Sequence, residues 1–252
     1  MEINMNIEYP LSISSLNTYI QCSVKWKYQY VDKYPMLTGS SALIGKAFHK
    51  AIEENYKQKI ISKKDLSISE MINIYNNAFC SEIDKTLWQE DEDIIEISES
   101  GVRALKLYHS QISPIVYPSE SEKEFLVDFG SLKLQGHIDL IDQDGWLIET
   151  KTASRKPKEL YSNYKRQITA YALAINIYKY RFDFSIISRI NRPEIMQFKG
   201  VVKDIDKWDF KNEFLHVTDN IQKEIYEPNR KSQLCSDKWC CYYERCHSDY
   251  KI

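Results

Sequence analysis

The sequence predicts an α/β protein in which helices flank a central mixed sheet. Apolar side chains recur at three- and four-residue spacing over residues 13–31 and 43–58, which is typical of amphipathic helices. From about residue 122 the pattern changes to alternating polar and apolar side chains in short runs separated by turn residues, which is typical of antiparallel strands. Helices packed around one sheet are the simplest arrangement that buries both patterns.

Length and composition favour one soluble folded domain. The 252 residues carry a net charge of −2, and we expect residues 1–252 to form a single domain. With 43% hydrophobic and 28% charged residues, the chain is not disordered as a whole. No uncharged apolar run reaches the roughly 18 to 20 residues of a membrane helix, and the acidic start lacks a signal-peptide layout. We therefore expect a cytoplasmic protein that binds no membrane.

The chain is predicted to alternate between helical and strand segments. Residues 58–110 continue the helical pattern after 43–58, and an antiparallel meander follows, with turns at Phe129-Gly130-Ser131 and Gln143-Asp144-Gly145. Residues 156–180 return to helical spacing, 182–190 and 194–202 are predicted as a strand pair, and 207–226 as the last long helix. The tail from Pro228 is irregular and rich in cysteine.

The meander contains a hairpin that brings charged residues together. If residues 143–145 form its loop, Asp142 faces Trp146, and Asp139 then lies opposite Glu149. One face of the hairpin then carries Gln135, His137, Asp139, Glu149 and Lys151, and the other carries Leu134, Ile138, Leu140 and Ile148.

Two carboxylates directly opposite one another have Cβ atoms roughly 4.5–5.5 Å apart and repel each other. A divalent cation between Asp139 and Glu149 removes this repulsion, and oxygen ligands suit Mg²⁺ or Mn²⁺. Lys151, on the same face, would orient a water molecule or stabilise charge on phosphate oxygens, so the group suits phosphodiester hydrolysis. The alternative is an ordinary surface hairpin with exposed charged residues.

Four short motifs follow one another along the chain: Gly45-Lys46-Ala47-Phe48-His49, Gly136-His137-Ile138-Asp139, Glu149-Thr150-Lys151 and Gln167-Ile168-Thr169-Ala170-Tyr171. Their order and spacing resemble those of the PD-(D/E)XK nucleases of the RecB type. The resemblance covers about residues 12–248 and implies a restriction-endonuclease-like core. The family also commonly has an upstream acid, for which Glu122 and Glu124 are both candidates.

The resemblance also implies roles for individual residues. His49, Asp139, Glu149 and the Thr150 backbone carbonyl would bind the metal ion, and Lys151 would act on the attacking water. Gln167 and Tyr171, one helical turn apart, would brace the site and touch DNA. The alternatives are a histidine on a helix flank for His49 and ordinary helix packing for Tyr171.

Four of the six cysteines lie in the last eighteen residues, a distribution that favours a metal or cluster site over disulfides. Cys235, Cys240 and Cys246, with Cys22 far upstream, resemble the ligands of iron–sulfur members of the family, including CRISPR-adaptation and phage-type exonucleases. The resemblance implies a [4Fe–4S] cluster that ties the C-terminal tail to the N-terminal helix. Zn²⁺ is the alternative occupant, and Cys241 and Cys80 are left out of the set.

Positive charge is concentrated where DNA would have to bind. Residues 151–166 contain six Lys and Arg against one Glu, and Trp26, Tyr28 and Tyr30 are candidates for stacking on bases, unless they belong to a half-buried helix. We therefore expect a metal-dependent nuclease, more specifically an exonuclease acting on single-stranded DNA or on DNA with free ends. The alternatives are a noncatalytic iron–sulfur protein that binds DNA and a zinc-stabilised structural module.

Overall fold

The structure is a computed structural model that describes residues 11–129, 133–188 and 192–251. The chain divides into two compact units. Unit 1 takes the described residues within Met1–Leu37, Phe125–Gly136 and Asp204–Ile252, and unit 2 takes those within Thr38–Glu124 and His137–Lys203.

The helices follow the predicted order, with boundaries that shift by a few residues. The α-helices are α1 (Ile13–Gln21), α2 (Ser23–Trp26), α3 (Ser40–Ser62), α4 (Ile68–Glu82), α5 (Ile94–Gln111), α6 (Ser162–Ile175), α7 (Asp204–Gln222) and α8 (Tyr243–Asp249). A π-helical turn at Lys27–Val31 continues α2, and 3₁₀ turns lie at Ile83–Lys85 and Ser113–Ile115.

The strands confirm the mixed sheet. They are β1 (Leu11–Ser12), β2 (Thr38–Gly39), β3 (Thr86–Leu87), β4 (Pro118–Asp128), β5 (Lys133–Asp142), β6 (Leu147–Ala153), β7 (Lys179–Ile186) and β8 (Glu194–Val201). Within the described residues the main sheet has the order β1-β5-β6-β7-β8, with β4 also paired to β5, and β2 pairs with β3 separately. The predicted turn residues Gly130 and Ser131 lie outside the described part of the chain.

The predicted hairpin register is confirmed. Leu140 pairs with Ile148 and Ile141 with Leu147 in antiparallel β5 and β6, and the Asp142 backbone N–H donates to the Trp146 carbonyl. Carried one residue further, this register sets Asp139 opposite Glu149. β6 then runs parallel to β7 along its whole length, and β7 runs antiparallel to β8.

An apolar core of unit 2 lies between its first three helices and the hairpin. The inward residues of α3, α4 and α5 pack there with Leu140 and Ile148 from the hairpin. A capping box between Ser67 and Glu70 fixes the start of α4, since each side chain satisfies a backbone N–H of the other residue. The helix predicted over 156–180 is shorter than expected: it ends at Ile175, because Asn176 adopts the left-handed conformation (φ 58°) that terminates helices.

In unit 1, the helix predicted over residues 13–31 is interrupted at one residue. Cys22 is extended (φ −166°, ψ 111°) and separates α1 from α2. Of the two alternatives for Trp26 and Tyr28, packing within a half-buried helix is confirmed and stacking on bases is not, because both side chains are buried, with 4% and 2% of their surface exposed. Trp26 stacks on Tyr30 and Tyr226, so these rings form packing contacts inside the unit.

Among the described residues, no helix combines the length and the apolar character that crossing a membrane requires.

Candidate active site

Unit 2 brings together the residues predicted from the four motifs. α3 carries His49, β5 carries Asp139, β6 carries Glu149, Thr150 and Lys151, and α6 carries Gln167 and Tyr171. The register of β5 and β6 places the acids, while α3 and α6 supply side chains from two further elements.

The Asp139 carboxylate lies between His49 on α3 and Thr150 on β6. Its Oδ2 accepts a hydrogen bond from the Thr150 backbone N–H at 3.1 Å and lies 3.7 Å from His49 Nδ1. The Thr150 amide therefore orients one carboxylate oxygen on the polar face of the hairpin, with the His49 ring beside it.

Glu149 is almost fully buried, with 1% of its surface exposed. Its Oε1 accepts hydrogen bonds from Lys151 Nζ at 2.5 Å and from Gln167 Nε2 at 2.8 Å, and Gln167 Nε2 also donates to Tyr171 Oη at 2.7 Å. Its Oε2 is buried and accepts no hydrogen bond. One oxygen is thus held from two sides, while the other is an orphaned buried acceptor.

The electrostatics of the site disfavour two bare carboxylates. Burial raises the pKa of Asp139 to about 6, and burial together with the charge of Asp139 raises the pKa of Glu149 to about 7. Burial would lower the pKa of Lys151, but the charges of Glu149 and Asp139 outweigh it and raise that pKa. Burial and the Lys151 charge lower the pKa of His49 to about 4, so its imidazole is neutral at pH 7.

Three further side chains line a small cavity with His49 and Asp139. These three, Glu53, Ser121 and Glu122, are part of a lining that also includes Ile52, Tyr56, Leu140 and Thr150, and the buried Ser121 hydroxyl has no hydrogen-bond partner. Burial and the charge of Glu53 raise the pKa of Glu122. Of the two candidates for the upstream acid, Glu122 lines the cavity, whereas Glu124 does not. Glu124 is exposed, and its Oε1 lies 3.3 Å from His137 Nε2.

The sequence analysis missed two groups near the site. Glu53 follows His49 by four residues on α3, and this spacing alone was a signal that the two share a helix face. Tyr108 on α5 lies 3.3 Å from Thr150 Oγ1 and 3.0 Å from Tyr56 Oη, forming a buried hydroxyl chain behind β6. No local pattern indicated Tyr108, because α5 reaches β6 only through tertiary packing.

In unit 1, the four cysteines expected to act as ligands line one cavity of about 160 Å³: Cys22, Cys235, Cys240 and Cys246. Burial and the charges of the other three thiols raise the pKa of Cys246 to about 11. All six cysteines are free of disulfides, and Cys80 and Cys241, which are absent from this cavity, are exposed.

Neither the residues of the hairpin site nor the four cysteines are arranged as a complete set of metal ligands. In residues 11–129, 133–188 and 192–251, no group of three or more His, Cys, Asp and Glu side chains has the geometry to hold a metal ion. At the hairpin, Lys151 and Gln167 both contact one oxygen of Glu149.

Comparison with known proteins bears on the family and the fold of the chain. The chain is 23% identical over 249 residues to one of the subunits of the ATP-dependent helicase/deoxyribonuclease from two Streptococcus agalactiae serotypes, Ia and V. The match covers 85% of this chain and 23% of each relative, so the chain spans about a quarter of their length. The fold is similar to that of a putative exonuclease from Eubacterium rectale (TM-score 0.61, 9% identity), over 97% of this chain and 93% of the other. The sequence profile of the PD-(D/E)XK nuclease superfamily matches residues 10–247, and the chain belongs to this superfamily.

Proposed function

We propose that this protein is a metal-dependent deoxyribonuclease that acts as an exonuclease, hydrolysing phosphodiester bonds at the ends of DNA. Its proposed substrate is single-stranded DNA or DNA with free ends. The observation that carries the proposal is the meeting of His49, Asp139, Glu149 and Lys151 at one site of unit 2. A surface hairpin with solvated charges would not bury Glu149.

The residues fit a hard divalent cation such as Mg²⁺ or Mn²⁺. The candidate ligands are the carboxylates of Asp139 and Glu149, the neutral ring of His49 and the Thr150 carbonyl, and the orphaned Glu149 Oε2 is a buried acceptor that a cation would satisfy. When bound, the ion would polarise the phosphate and lower the pKa of a water molecule.

The protein's own residues supply the remaining requirements. Lys151 places a positive charge beside the two acids, where negative charge develops on phosphate oxygens during hydrolysis. Gln167 holds Glu149 in place and in turn contacts Tyr171, so α6 fixes the orientation of the acid on β6.

The substrate and the exonucleolytic mode of action are inferred from the relatives and from local charge. The similar proteins are named as part of a deoxyribonuclease and as a putative exonuclease. The basic run 151–166 begins at Lys151 and continues into α6, where it is positioned to hold a phosphate backbone. The superfamily match spans segments of both units, which supports residues 1–252 acting as one nuclease domain.

We further propose that Cys22, Cys235, Cys240 and Cys246 bind a [4Fe–4S] cluster. The donor set fits, because four thiols line one cavity and none is engaged in a disulfide. A Cys₄ set also suits Zn²⁺, which is the alternative occupant. In either case the group would have a structural role, since the proposed hydrolytic residues all lie in unit 2.

Cleavage of labelled DNA by anaerobically purified protein tests this function. We expect Mg²⁺ or Mn²⁺ to support degradation of linear single-stranded DNA, EDTA to abolish it, and circular single-stranded DNA to resist it. Asp139→Asn and Lys151→Ala should each lower kcat by at least about 100-fold. Asp144→Asn, on the exposed turn of the same hairpin, is the matched control and should retain activity.

Cleavage that persists in EDTA or in Asp139→Asn would contradict the proposal. DNA binding without cleavage under any metal would instead favour a noncatalytic DNA-binding protein with a nuclease fold.

A further inference from the structure

Tyr161 is an exposed aromatic residue at the start of α6. It directly precedes the helix, and 50% of its surface is exposed. Its backbone carbonyl accepts hydrogen bonds from the N–H groups of Tyr164 and Lys165, both at 3.0 Å, and the preceding Leu160 is buried. The backbone that carries the Tyr161 ring is therefore fixed, although the ring itself faces solvent.

A second ring connects Tyr161 to the candidate active site. The ring centroids of Tyr161 and Tyr164 are 6.2 Å apart with planes 31° from parallel, and Lys151 Nζ lies 5.7 Å from the Tyr164 centroid. Tyr164 is held from behind by Phe182 and Phe184, at 5.8 and 5.4 Å. Together, the Tyr161–Tyr164 and Tyr164–Lys151 distances place the Tyr161 ring within about four base-pair spacings of B-form DNA from Lys151 Nζ.

The surroundings of Tyr161 attract a phosphate backbone. Exposed basic side chains precede and follow it in the sequence, at Arg155, Lys158 and Lys165, against the single acid Glu159 in this run. Aromatic rings interspersed with basic residues are the arrangement by which proteins hold single-stranded nucleic acid, since bases stack on the rings while the cations contact phosphates.

We propose that Tyr161 is a nucleobase-binding subsite, on which an unpaired base stacks close to the phosphate being hydrolysed. This inference rests on the proposed function and extends it. A base inside a duplex has both faces covered by its neighbours, whereas an unpaired base, in a single strand or at an opened end, can turn a face towards Tyr161. The subsite therefore favours single-stranded over double-stranded DNA.

Equilibrium binding of a fluorescent single-stranded oligonucleotide to the full-length protein tests the subsite without requiring cleavage. Binding is measured in EDTA and again with Ca²⁺. We expect Tyr161→Ala to weaken binding by about 5- to 150-fold, the range for loss of one stacked base. Tyr161→Phe should bind like the unmodified protein because the ring is retained, whereas Tyr161→Leu should bind like Tyr161→Ala.

Two controls distinguish stacking from loss of structure or charge. Tyr117→Ala removes a similarly exposed tyrosine (61%) just before β4 and should leave DNA affinity unchanged. An oligonucleotide with abasic residues should bind Tyr161→Ala and unmodified protein equally. The slope of log affinity against log salt concentration should be the same for Tyr161→Ala and unmodified protein, because no phosphate contact is lost.

The outcomes separate this subsite from the proposed function. Equal affinity of Tyr161→Ala and unmodified protein for the normal oligonucleotide would overturn the subsite alone. So would an equal loss of affinity for the normal and the abasic oligonucleotide. Failure of the unmodified protein to bind any DNA under either condition would overturn both the subsite and the proposed function.

Discussion

At the scale of single residues, the central feature is the asymmetry of the Glu149 carboxylate. Lys151 and Gln167 both donate to Oε1, while the buried Oε2 accepts nothing. An unsatisfied buried acceptor costs about 1–3 kcal/mol, and the adjacent Asp139 adds repulsion. A bound cation would offset both unfavourable features, because it would satisfy Oε2 and neutralise the repulsion between the two acids.

The role of Gln167 can be tested through metal dependence. Gln167→Ala removes one of the two donors that orient Glu149, and we expect it to raise the Mn²⁺ concentration for half-maximal cleavage by about 10- to 100-fold. Activity at saturating Mn²⁺ should fall much less, because the ligands themselves remain. Tyr171→Phe, which removes only the hydroxyl beyond Gln167, should cause a smaller shift. An unchanged metal requirement in Gln167→Ala would show that α6 does not position Glu149.

At the scale of elements, the close approach of α4 and α5 supports the strand that carries the site. Gly101 on α5 lies against Tyr75 on α4, and a Cβ at Gly101 would lie 2.0 Å from Tyr75 Oη and 2.6 Å from Tyr75 Cζ. Two turns further along α5, Tyr108 contacts Thr150 on β6. Glycine at position 101 therefore lets α5 lie close enough for Tyr108 to reach Thr150.

Substitution of Gly101 by alanine tests this packing. Alanine is the better helix former by about 1 kcal/mol, but the contact with the fully buried Tyr75 ring must be relieved. We expect Gly101→Ala to lower the free energy of unfolding by about 1–3 kcal/mol in denaturant titrations. Tyr75→Phe removes the nearest clashing atom, so it should recover part of this loss in the double variant. A stabilised Gly101→Ala protein would show that helix propensity outweighs packing here.

At the scale of the whole molecule, neither the net charge nor the order of residues in the chain shows which charges and which cysteines lie together. The chain has a net charge of −2, yet residues 151–166 are strongly basic. Cys22 lies near one end of the sequence and Cys235, Cys240 and Cys246 near the other, and the four nevertheless line one cavity. A group bound there would close a loop of most of the chain and stabilise unit 1 by restricting its unfolded state.

Substitution of individual cysteines tests the proposed [4Fe–4S] cluster. Cys22→Ser and Cys246→Ser should each abolish the iron content and visible absorbance of anaerobically purified protein. Each should also lower its stability by about 2–5 kcal/mol, the range for loss of a covalent cross-link. Cys241→Ser and Cys80→Ser should retain both properties because those residues are exposed and lie outside the cavity. A colourless protein that binds zinc through the same four residues would support the alternative occupant.

The sequence by itself determined the order of the elements and the hairpin register, whereas His49, Gln167 and Tyr171 were implied only by the resemblance of its motifs to those of PD-(D/E)XK nucleases. The register depends on local chemistry: alternation selects the face of each strand, and the turn at residues 143–145 sets which residues pair. The sequence alone therefore predicts that Asp139 lies opposite Glu149, and β5 and β6 pair in that register.

Only the tertiary structure decided burial and long-range contacts. It buried Glu149, enclosed Trp26 and Tyr28, distinguished Glu122 from Glu124, and placed Tyr108 behind Thr150. Periodicity shows which side of an element is apolar, but it does not show what covers a polar side. That depends on elements distant in the sequence, and it is why only the structure shows that Trp26 and Tyr28 pack inside unit 1.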